Sequence, residues 1–196
     1  MTAVDDRPMT TDVVEFFENL EVPEGYKAEL LRGEIVMMAA PDLVHIDIVE
    51  AVLDQFPRRD WRRLQTVAVA ILQETSEPLP DLVLVERGVG PREGQLMPSK
   101  VISMVVEVVS KTSIERDYVV KRSIYAAGGV PVYLIIDPIM GHCVLLTEPT
   151  GAGEEADYQV QRVTKFGDPV PLRMLEIQLD TTEFGTYKGV KPHHRP

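Results

Sequence analysis

The chain contains two nearly continuous apolar runs, Asp81-Leu-Val-Leu-Val85 and Val101-Ile-Ser-Met-Val-Val-Glu-Val-Val109. Aliphatic runs of this length are typical of strands that are buried on both faces of a sheet. We therefore expect both runs to be central strands. A helix predicted from about Ile114 to Ala127 follows the second run, and another apolar run at 132–136 follows that helix. This alternation of strands and helices predicts an α/β fold.

The segments on either side extend the same sheet. Upstream, Gly33 is expected to turn a β-hairpin made of residues 26–31 and 34–39. Asp42 then caps a predicted helix that reaches about Phe56, and a strand is predicted at 66–72. Downstream, strands are predicted at 142–146 and 158–163. The expected architecture is a mixed β-sheet flanked by helices and preceded by a β-hairpin.

The domain boundaries follow from the polar ends of the chain. The 196 residues suit one domain, which we place at residues 11–187, with a short helix capped by Thr11 at its start. Residues 1–10 are expected to be a flexible N-terminus. Residues 188–196 are polar and rich in proline and are expected to form a frayed tail.

Composition narrows the class of protein. Lys and Arg number 20 against 31 Asp and Glu, and the resulting net charge of −11 argues against a polycationic coat but allows a local basic groove. The single cysteine, Cys143, excludes a disulfide within the chain and a cysteine-rich metal site, so a reducing cytoplasm is the expected compartment. No apolar run approaches the roughly 18 residues of a membrane span, and no membrane partner is expected.

Two carboxylates stand out against this apolar background. Glu107 interrupts the longer run, where it must lose water; it must therefore pair with a cation, take up a proton through a raised pKa, or bind a metal. Asp81 opens the other central strand. If the two strands are neighbours, the carboxylates converge at one end of the sheet and repel each other until a divalent ion lies between them.

Basic residues supply the remaining candidates. On a helical wheel, Lys121 lies inside the apolar arc of its predicted helix. The simplest explanation for a lysine on this side is an ion pair with Asp117, four residues earlier. Two short basic stretches are either solvated helix ends or surfaces that face phosphates. The first comprises Lys111, Arg116, Lys121 and Arg122, and the second comprises Arg58, Arg59, Arg62 and Arg63.

These residues occur in a recognisable order. Pro80-Asp81 and Glu107-Val108-Val109 precede Asp117 and Lys121, which stand ahead of Tyr125-Ala-Ala-Gly-Gly-Val-Pro-Val-Tyr133-Leu-Ile-Ile-Asp137-Pro138. The earlier segment Tyr26-Lys-Ala-Glu29-Leu-Leu-Arg-Gly33-Glu34 belongs to the same pattern. Over about residues 15–185, the chain resembles the Uma-type endonuclease family of the PD-(D/E)XK, or restriction-endonuclease-like, superfamily.

The resemblance implies a Mg²⁺-dependent endonuclease that hydrolyses DNA phosphodiester bonds, with Mn²⁺ as a substitute metal. Asp81 and Glu107 would hold the metal, and both would be catalytic together with Lys121. The superfamily lysine normally lies two residues beyond the acid, where this chain has Val109. Lys121 would therefore take that place from the following helix, and burial would lower its pKa so that it could help to deprotonate water.

The resemblance also names secondary candidates and partners. Glu34 follows the Gly33 turn where the family pattern has an acid, and His45 lies near the start of its helix; both are possible further site residues. Independently of the resemblance, we expect DNA to be bound through Lys111, Arg116 and Arg122, with residues 58–63 as a second contact, because the chain has few other local runs of positive charge. A homodimer is plausible, and no organic cofactor is expected. The competing interpretations are a nuclease-fold binding or assembly module that no longer cleaves, and an unrelated α/β interaction protein.

Overall fold

The computed structural model describes residues 9–195, and side chains from residue 12 onward. The first eight residues of the predicted flexible N-terminus therefore lie outside the described residues.

The helices are α1 (Met9–Glu18), α2 (Leu43–Asp54) and α3 (Lys121–Ala127), and a π-helical segment, Arg116–Val120, leads directly into α3. The strands are β1 (Tyr26–Leu31), β2 (Glu34–Ala39), β3 (Trp61–Leu64), β4 (Ala68–Ala70), β5 (Leu82–Glu86), β6 (Leu96–Pro98), β7 (Met104–Val108), β8 (Val132–Asp137), β9 (His142–Thr150), β10 (Asp157–Lys165), β11 (Val170–Leu172) and β12 (Ile177–Leu179).

Six strands form one mixed sheet in the order β10-β9-β8-β7-β5-β3. Strands β7 and β8 are parallel, and every other neighbouring pair is antiparallel. The two apolar runs occupy adjacent central positions as β5 and β7, because strands with apolar side chains on both faces are stable only between two packed layers. The predicted mixed sheet with flanking helices and a preceding hairpin is confirmed.

The helices cover opposite faces of the sheet. On one face, Val83 and Val105 pack with Ile124 and Tyr125 of α3. On the other, alternate residues of the same strands pack against α2. The parallel β7–β8 pair requires a crossover connection, and the π-helical segment with α3 supplies it. The same crossover brings the Lys121 side chain to the β7 strand.

The hairpin of β1 and β2 is a separate two-stranded sheet. Gly33 has a φ of +79°, a left-handed conformation that glycine adopts without steric strain, and it allows the tight turn at which Leu31 pairs with Glu34. Leu30 forms a bridge with Glu77 in the segment that leads into β5. This bridge brings β1 close to the start of the central strand.

Three segments differ from the predictions. The predicted strand at 66–72 is only the three-residue β4, and the sheet edge is instead β3 within the arginine-rich stretch. Arginines fit there because Arg62 donates to the carbonyls of Val89 and Pro91, and Arg63 donates to the carbonyls of Leu53 and Phe56. The end of the chain does not fray at His193, whose Nε2 lies 2.6 Å from Oδ2 of the buried Asp137. No helix among the described residues is both long and apolar enough to cross a membrane.

Candidate active site

Asp81 and Glu107 lie side by side at one end of the sheet. Leu82 pairs with Val106 in the antiparallel β5–β7 ladder, so the next pair outward is Asp81 opposite Glu107. Directly opposed residues on antiparallel strands point to the same face, which brings the two carboxylates together. Both line a cavity of about 220 Å³. Its other walls come from both hairpin strands, the start of α2, the segment before β5, the loop after β7, the π-helical segment with the start of α3, and Tyr187.

Asp81 is held on both of its oxygens. Nε2 of His45 lies 2.9 Å from Oδ1, and the main-chain N–H of Val108 donates a 2.8 Å hydrogen bond to Oδ2. Burial acts to raise the pKa of Asp81, but His45 and the Val108 amide outweigh it and lower this pKa below its ordinary value. The main-chain N–H of His45 donates a hydrogen bond to the side chain of Asp42, which caps α2 and so holds His45 in place. His45, which the sequence analysis gave as a possible further site residue, is one of the residues that line the cavity.

Glu107 is buried, with 3% of its surface exposed. Its Oε1 accepts a 2.8 Å hydrogen bond from Nζ of Lys121 and a 2.7 Å hydrogen bond from the hydroxyl of Tyr125. Burial raises the pKa of Glu107 well above its usual range; Lys121 opposes this shift, whereas the nearby carboxylates, Asp81 first among them, add to it. Glu107 therefore takes up a proton readily unless additional positive charge lies beside it.

Lys121 bridges two elements of the site. Its Nζ lies 2.8 Å from Oε1 of Glu107 and 2.9 Å from Oε2 of Glu29, whereas the Asp117 carboxylate is 3.8 Å away. The i,i+4 pair with Asp117 is therefore the longest of the three contacts. Burial alone would lower the pKa of Lys121, but the surrounding carboxylates outweigh it and raise this pKa above its ordinary value. The expectation of a lowered pKa is wrong, and the side chain is a charged ammonium.

Glu29 is the site residue that the sequence analysis missed. It is completely buried; Oε2 accepts a hydrogen bond of 3.1 Å from the main-chain N–H of Leu79, and Oε1 lies 3.2 Å from Nε of Arg116. Glu34, the acid chosen from the hairpin, is exposed at the turn and is not among the residues that line the cavity. No comparable signal marks Glu29 in the sequence, because its strand begins with Tyr26-Lys27 and lacks the uniform apolar background that revealed Glu107.

The three predicted DNA-binding residues do not form one patch. Lys111 and Arg116 line the cavity, with the Lys111 ammonium 5.2 Å from the centre of the Tyr187 ring. Arg122 instead binds Asp157 and Gln161 on β10. In the second stretch, Arg62 and Arg63 are bound to main-chain carbonyls, as described above. Contacts within the fold therefore account for Arg122, Arg62 and Arg63.

Comparison with known proteins places this site in a family. Residues 14–182 match the model of the Uma2 family, which is described as "putative restriction endonuclease". The chain belongs to the Uma2 family. A crystal structure from Anabaena variabilis, described as a "putative nuclease belonging to DUF820", is similar with a TM-score of 0.64 and 17% identity, over 88% of this chain and 96% of that chain. No protein of curated function matches significantly. The family and the fold together make this a restriction-endonuclease-like protein.

In this Uma2 protein, acidic groups outnumber basic groups in the buried and half-buried cluster around Lys121. Four carboxylates, those of Glu29, Asp81, Glu107 and Asp117, surround the cations Lys121 and Arg116, with His45 as an additional basic group. Such an excess of buried acid is unfavourable until protons or a cation neutralise it.

A magnesium ion fits the donor set of this Uma2 site. In residues 9–195, no three acid, histidine or cysteine side chains are placed to hold one metal ion together. Mg²⁺ does not require such a set, because it keeps several waters and often takes only one or two carboxylates. Asp81 and Glu107, which share one cavity, match that requirement, whereas a metal that demands four protein ligands does not fit.

Proposed function

We propose that this protein is a Mg²⁺-dependent endodeoxyribonuclease, with Mn²⁺ as a substitute metal. The observation that carries the proposal is the pairing of Asp81 and Glu107 from adjacent strands on one cavity, beside the buried ammonium of Lys121. Membership of a family described as "putative restriction endonuclease" supports the same reaction class. The basic side chains of Lys111 and Arg116, which line the cavity, suit a polyanionic substrate.

Asp81 and Glu107 would hold the metal. A divalent ion bound there supplies Lewis-acid stabilisation of the phosphate and a more acidic water at neutral pH. A bound cation would also oppose the effects of burial and of the neighbouring carboxylates, which together raise the pKa of Glu107. Because His45 and the Val108 amide already lower the pKa of Asp81, that carboxylate is ionised and ready to bind.

The chain's own residues position these ligands and balance their charge. Tyr125 and Lys121 both donate to Oε1 of Glu107, so they fix the orientation of its carboxylate. Lys121 remains protonated and cannot act as a general base in this state. Its role in the proposal is to stabilise negative charge in the cavity and to connect Glu107 with Glu29. His45 fixes Asp81 in the same way from α2.

DNA would approach over the rim that Lys111 and Arg116 form. Lys111 provides the cleaner test, since Arg116 also contacts the buried Glu29. The DNA-binding constant K falls as salt rises. Lys111→Gln should reduce the magnitude of the slope of log K against log salt concentration by about 0.9 if the side chain neutralises one phosphate of duplex DNA. The matched control is Arg122→Gln, because Arg122 is already bound by β10. Equal effects of the two substitutions on the slope would contradict this placement of the DNA.

A catalytically inactive nuclease-fold module is the second candidate. Its specific support is that both carboxylates already have protein partners: Asp81 has His45 and the Val108 amide, and Glu107 has Lys121 and Tyr125. A relic in which these bonds replace the metal would retain the fold and a binding surface. The two candidates therefore differ in metal binding and in cleavage, but not in architecture.

Plasmid cleavage distinguishes the candidates. Purified protein is incubated with supercoiled plasmid in Mg²⁺, in Mn²⁺ or in chelator, and nicked and linear products are quantified. The proposal expects metal-dependent products with the wild type and none with Glu107→Ala. Glu34→Ala, at the exposed hairpin acid outside the cavity, is the matched control and should cleave normally. Products that persist in chelator, or that Glu107→Ala yields at the wild-type rate, would contradict the proposal.

A further inference from the structure

Strand β10 leaves one long edge of the central sheet open. It has nine residues, and within the described part of the chain no strand pairs with its outer side. Val160 and Val163 are 42% and 48% exposed along it. An edge strand presents alternate main-chain N–H and C=O groups that can pair with another strand, and proteins usually protect such edges.

The opposite edge of the same sheet is much shorter. Strand β3 has only four residues, and the Arg62 side chain connects it to the carbonyls of Val89 and Pro91 in the neighbouring loop. β10 is more than twice as long and contains no proline. β10 therefore offers another strand more unpaired main-chain groups than β3 does.

We propose that β10 pairs with β10 of a second copy of this chain. The two strands run antiparallel about a two-fold axis at Gln161, so that the two six-stranded sheets become one continuous sheet. A two-fold axis in this position requires each strand to be complementary to itself. The sequence Asp157-Tyr-Gln-Val-Gln161-Arg-Val-Thr-Lys165 meets that requirement.

The charges favour this register. With Gln161 opposite itself, Asp157 lies opposite Lys165 of the second copy, and Lys165 lies opposite the second Asp157. Opposite charges at directly facing positions stabilise a strand pair, and like charges destabilise it. Asp157 already accepts hydrogen bonds from Arg122, but a carboxylate has room for further donors. A parallel arrangement would place each charged residue against its own copy.

An apolar groove beside β10 enlarges the surface. Val160 lines it together with Leu145, Leu172 and Met174, and the Met174 side chain is 61% exposed. In the proposed register, Arg162 of the second copy lies opposite Val160 at this groove, which is also lined by Glu148, Arg162 and Arg173 of the first copy. The groove occurs twice about the two-fold axis, so association covers apolar surface in addition to the main-chain groups of the strand edge.

Cysteine cross-linking tests the register. Gln161→Cys places two thiols opposite each other on the axis, within the Cα separation of about 4.4–6.8 Å that a disulfide needs. Gln159→Cys is the matched control: in this register the two cysteines are four residues apart along the strands, about 14 Å. Mild oxidation should cross-link Gln161→Cys into a covalent dimer and leave Gln159→Cys uncross-linked. Equal cross-linking of both variants would overturn the register.

Charge reversal tests the interface itself. Analytical ultracentrifugation should give a mass of about twice the 21.9 kDa of one chain for the wild type. Lys165→Asp and Asp157→Lys should each raise the dimer dissociation constant at least about tenfold, since each substitution breaks two symmetric pairs. An equimolar mixture of the two variants should dimerise again, because the opposite charges then face each other.

The controls separate this proposal from a general effect of charge. Arg59→Asp changes the net charge equally at a highly exposed site on the other side of the sheet, and it should leave the wild-type mass unchanged. Unfolding temperatures report whether each variant is folded. A wild type that remains monomeric at every concentration, or a Lys165→Asp variant that dimerises as well as the wild type, would overturn the proposal. Neither result bears on plasmid cleavage, which tests the proposed nuclease separately.

Discussion

Replacement of Lys121 by methionine tests the charge arrangement of the site without any metal. Methionine keeps most of the volume and removes the ammonium that lies between Glu107 and Glu29. The loss of one partner from a buried ion pair leaves unpaired buried charge and costs about 3–5 kcal/mol. For a domain of this size, that corresponds to a decrease in melting temperature of about 6–20 °C.

The effect should depend on pH. Without Lys121, the pKa of the Glu107 carboxyl rises further, so the folded variant binds protons more readily than the unfolded chain does. Its free energy of unfolding should therefore fall as pH rises, and the difference from wild type should be larger at pH 8 than at pH 5. Glu107→Gln added to Lys121→Met should recover part of the loss, because it removes a carboxylate that has lost its partner.

Urea unfolding in the presence of chelator measures these differences. Lys100→Met, at an exposed lysine, is the control for removal of one positive charge and should change stability little. A loss below about 0.5 kcal/mol for Lys121→Met is the value expected of a solvated i,i+4 pair with Asp117. That result, or a loss independent of pH, would refute the view that Lys121 balances buried carboxylates.

Three further results are expected. Burial raises the pKa of Asp117 from 3.8 to about 6, against the opposing effect of Lys121. The stability that this group contributes is therefore fully present below about pH 4 and is lost as pH rises through about 6. Asp117→Asn should remove this pH dependence, which amounts to up to about 3 kcal/mol in the free energy of unfolding by urea between about pH 4 and 7. Tyr125→Phe should lower stability by about 1.5–3 kcal/mol in the same assay, since its hydroxyl donates to a buried carboxylate, and an unchanged midpoint would contradict that bond. Glu29→Gln should slow plasmid cleavage on the order of tenfold to a hundredfold by misplacing Lys121, and a wild-type rate would exclude Glu29 from the site.

The parts that sequence predicted are those with a strong local pattern. Continuous apolar runs identified β5 and β7, and the acids that interrupt or open them identified Asp81 and Glu107 as a pair. Their convergence followed from the expectation that the strands are neighbours. Lys121 was found because it lies on the packed side of its helix, although its partners belong to distant segments.

The missed features depend on contacts between distant parts of the chain. Glu29 lies in a hairpin strand that begins with the polar Tyr26-Lys27, so no uniform apolar background marked it as exceptional. It reaches the site only because Leu30 bridges to Glu77, a pairing that no local pattern encodes. The direction of the Lys121 pKa shift was also wrong, because it required knowing that several carboxylates surround one ammonium.

The structure also modifies the interpretation of the basic residues. A charge run indicates where positive side chains occur, but not whether carbonyls or carboxylates of the protein already bind them. Arg122 and Arg62 illustrate this, since each is bound within the fold. Lys111 remains as the predicted cavity residue on which DNA binding can be tested, since Arg116 also contacts the buried Glu29.

A titration of Mn²⁺ followed by electron paramagnetic resonance tests the metal site most directly. Free Mn²⁺ gives a sharp signal that weakens on binding, so the stoichiometry and affinity are read without any cleavage. We expect one site in the wild type, lost in the Asp81→Asn/Glu107→Gln double variant and retained in Glu34→Gln, whose altered residue is exposed outside the cavity. Bound metal should also raise the melting temperature of the wild type by mass action. Equal Mn²⁺ binding by the wild type and the double variant would contradict the assignment of Asp81 and Glu107 as the metal ligands.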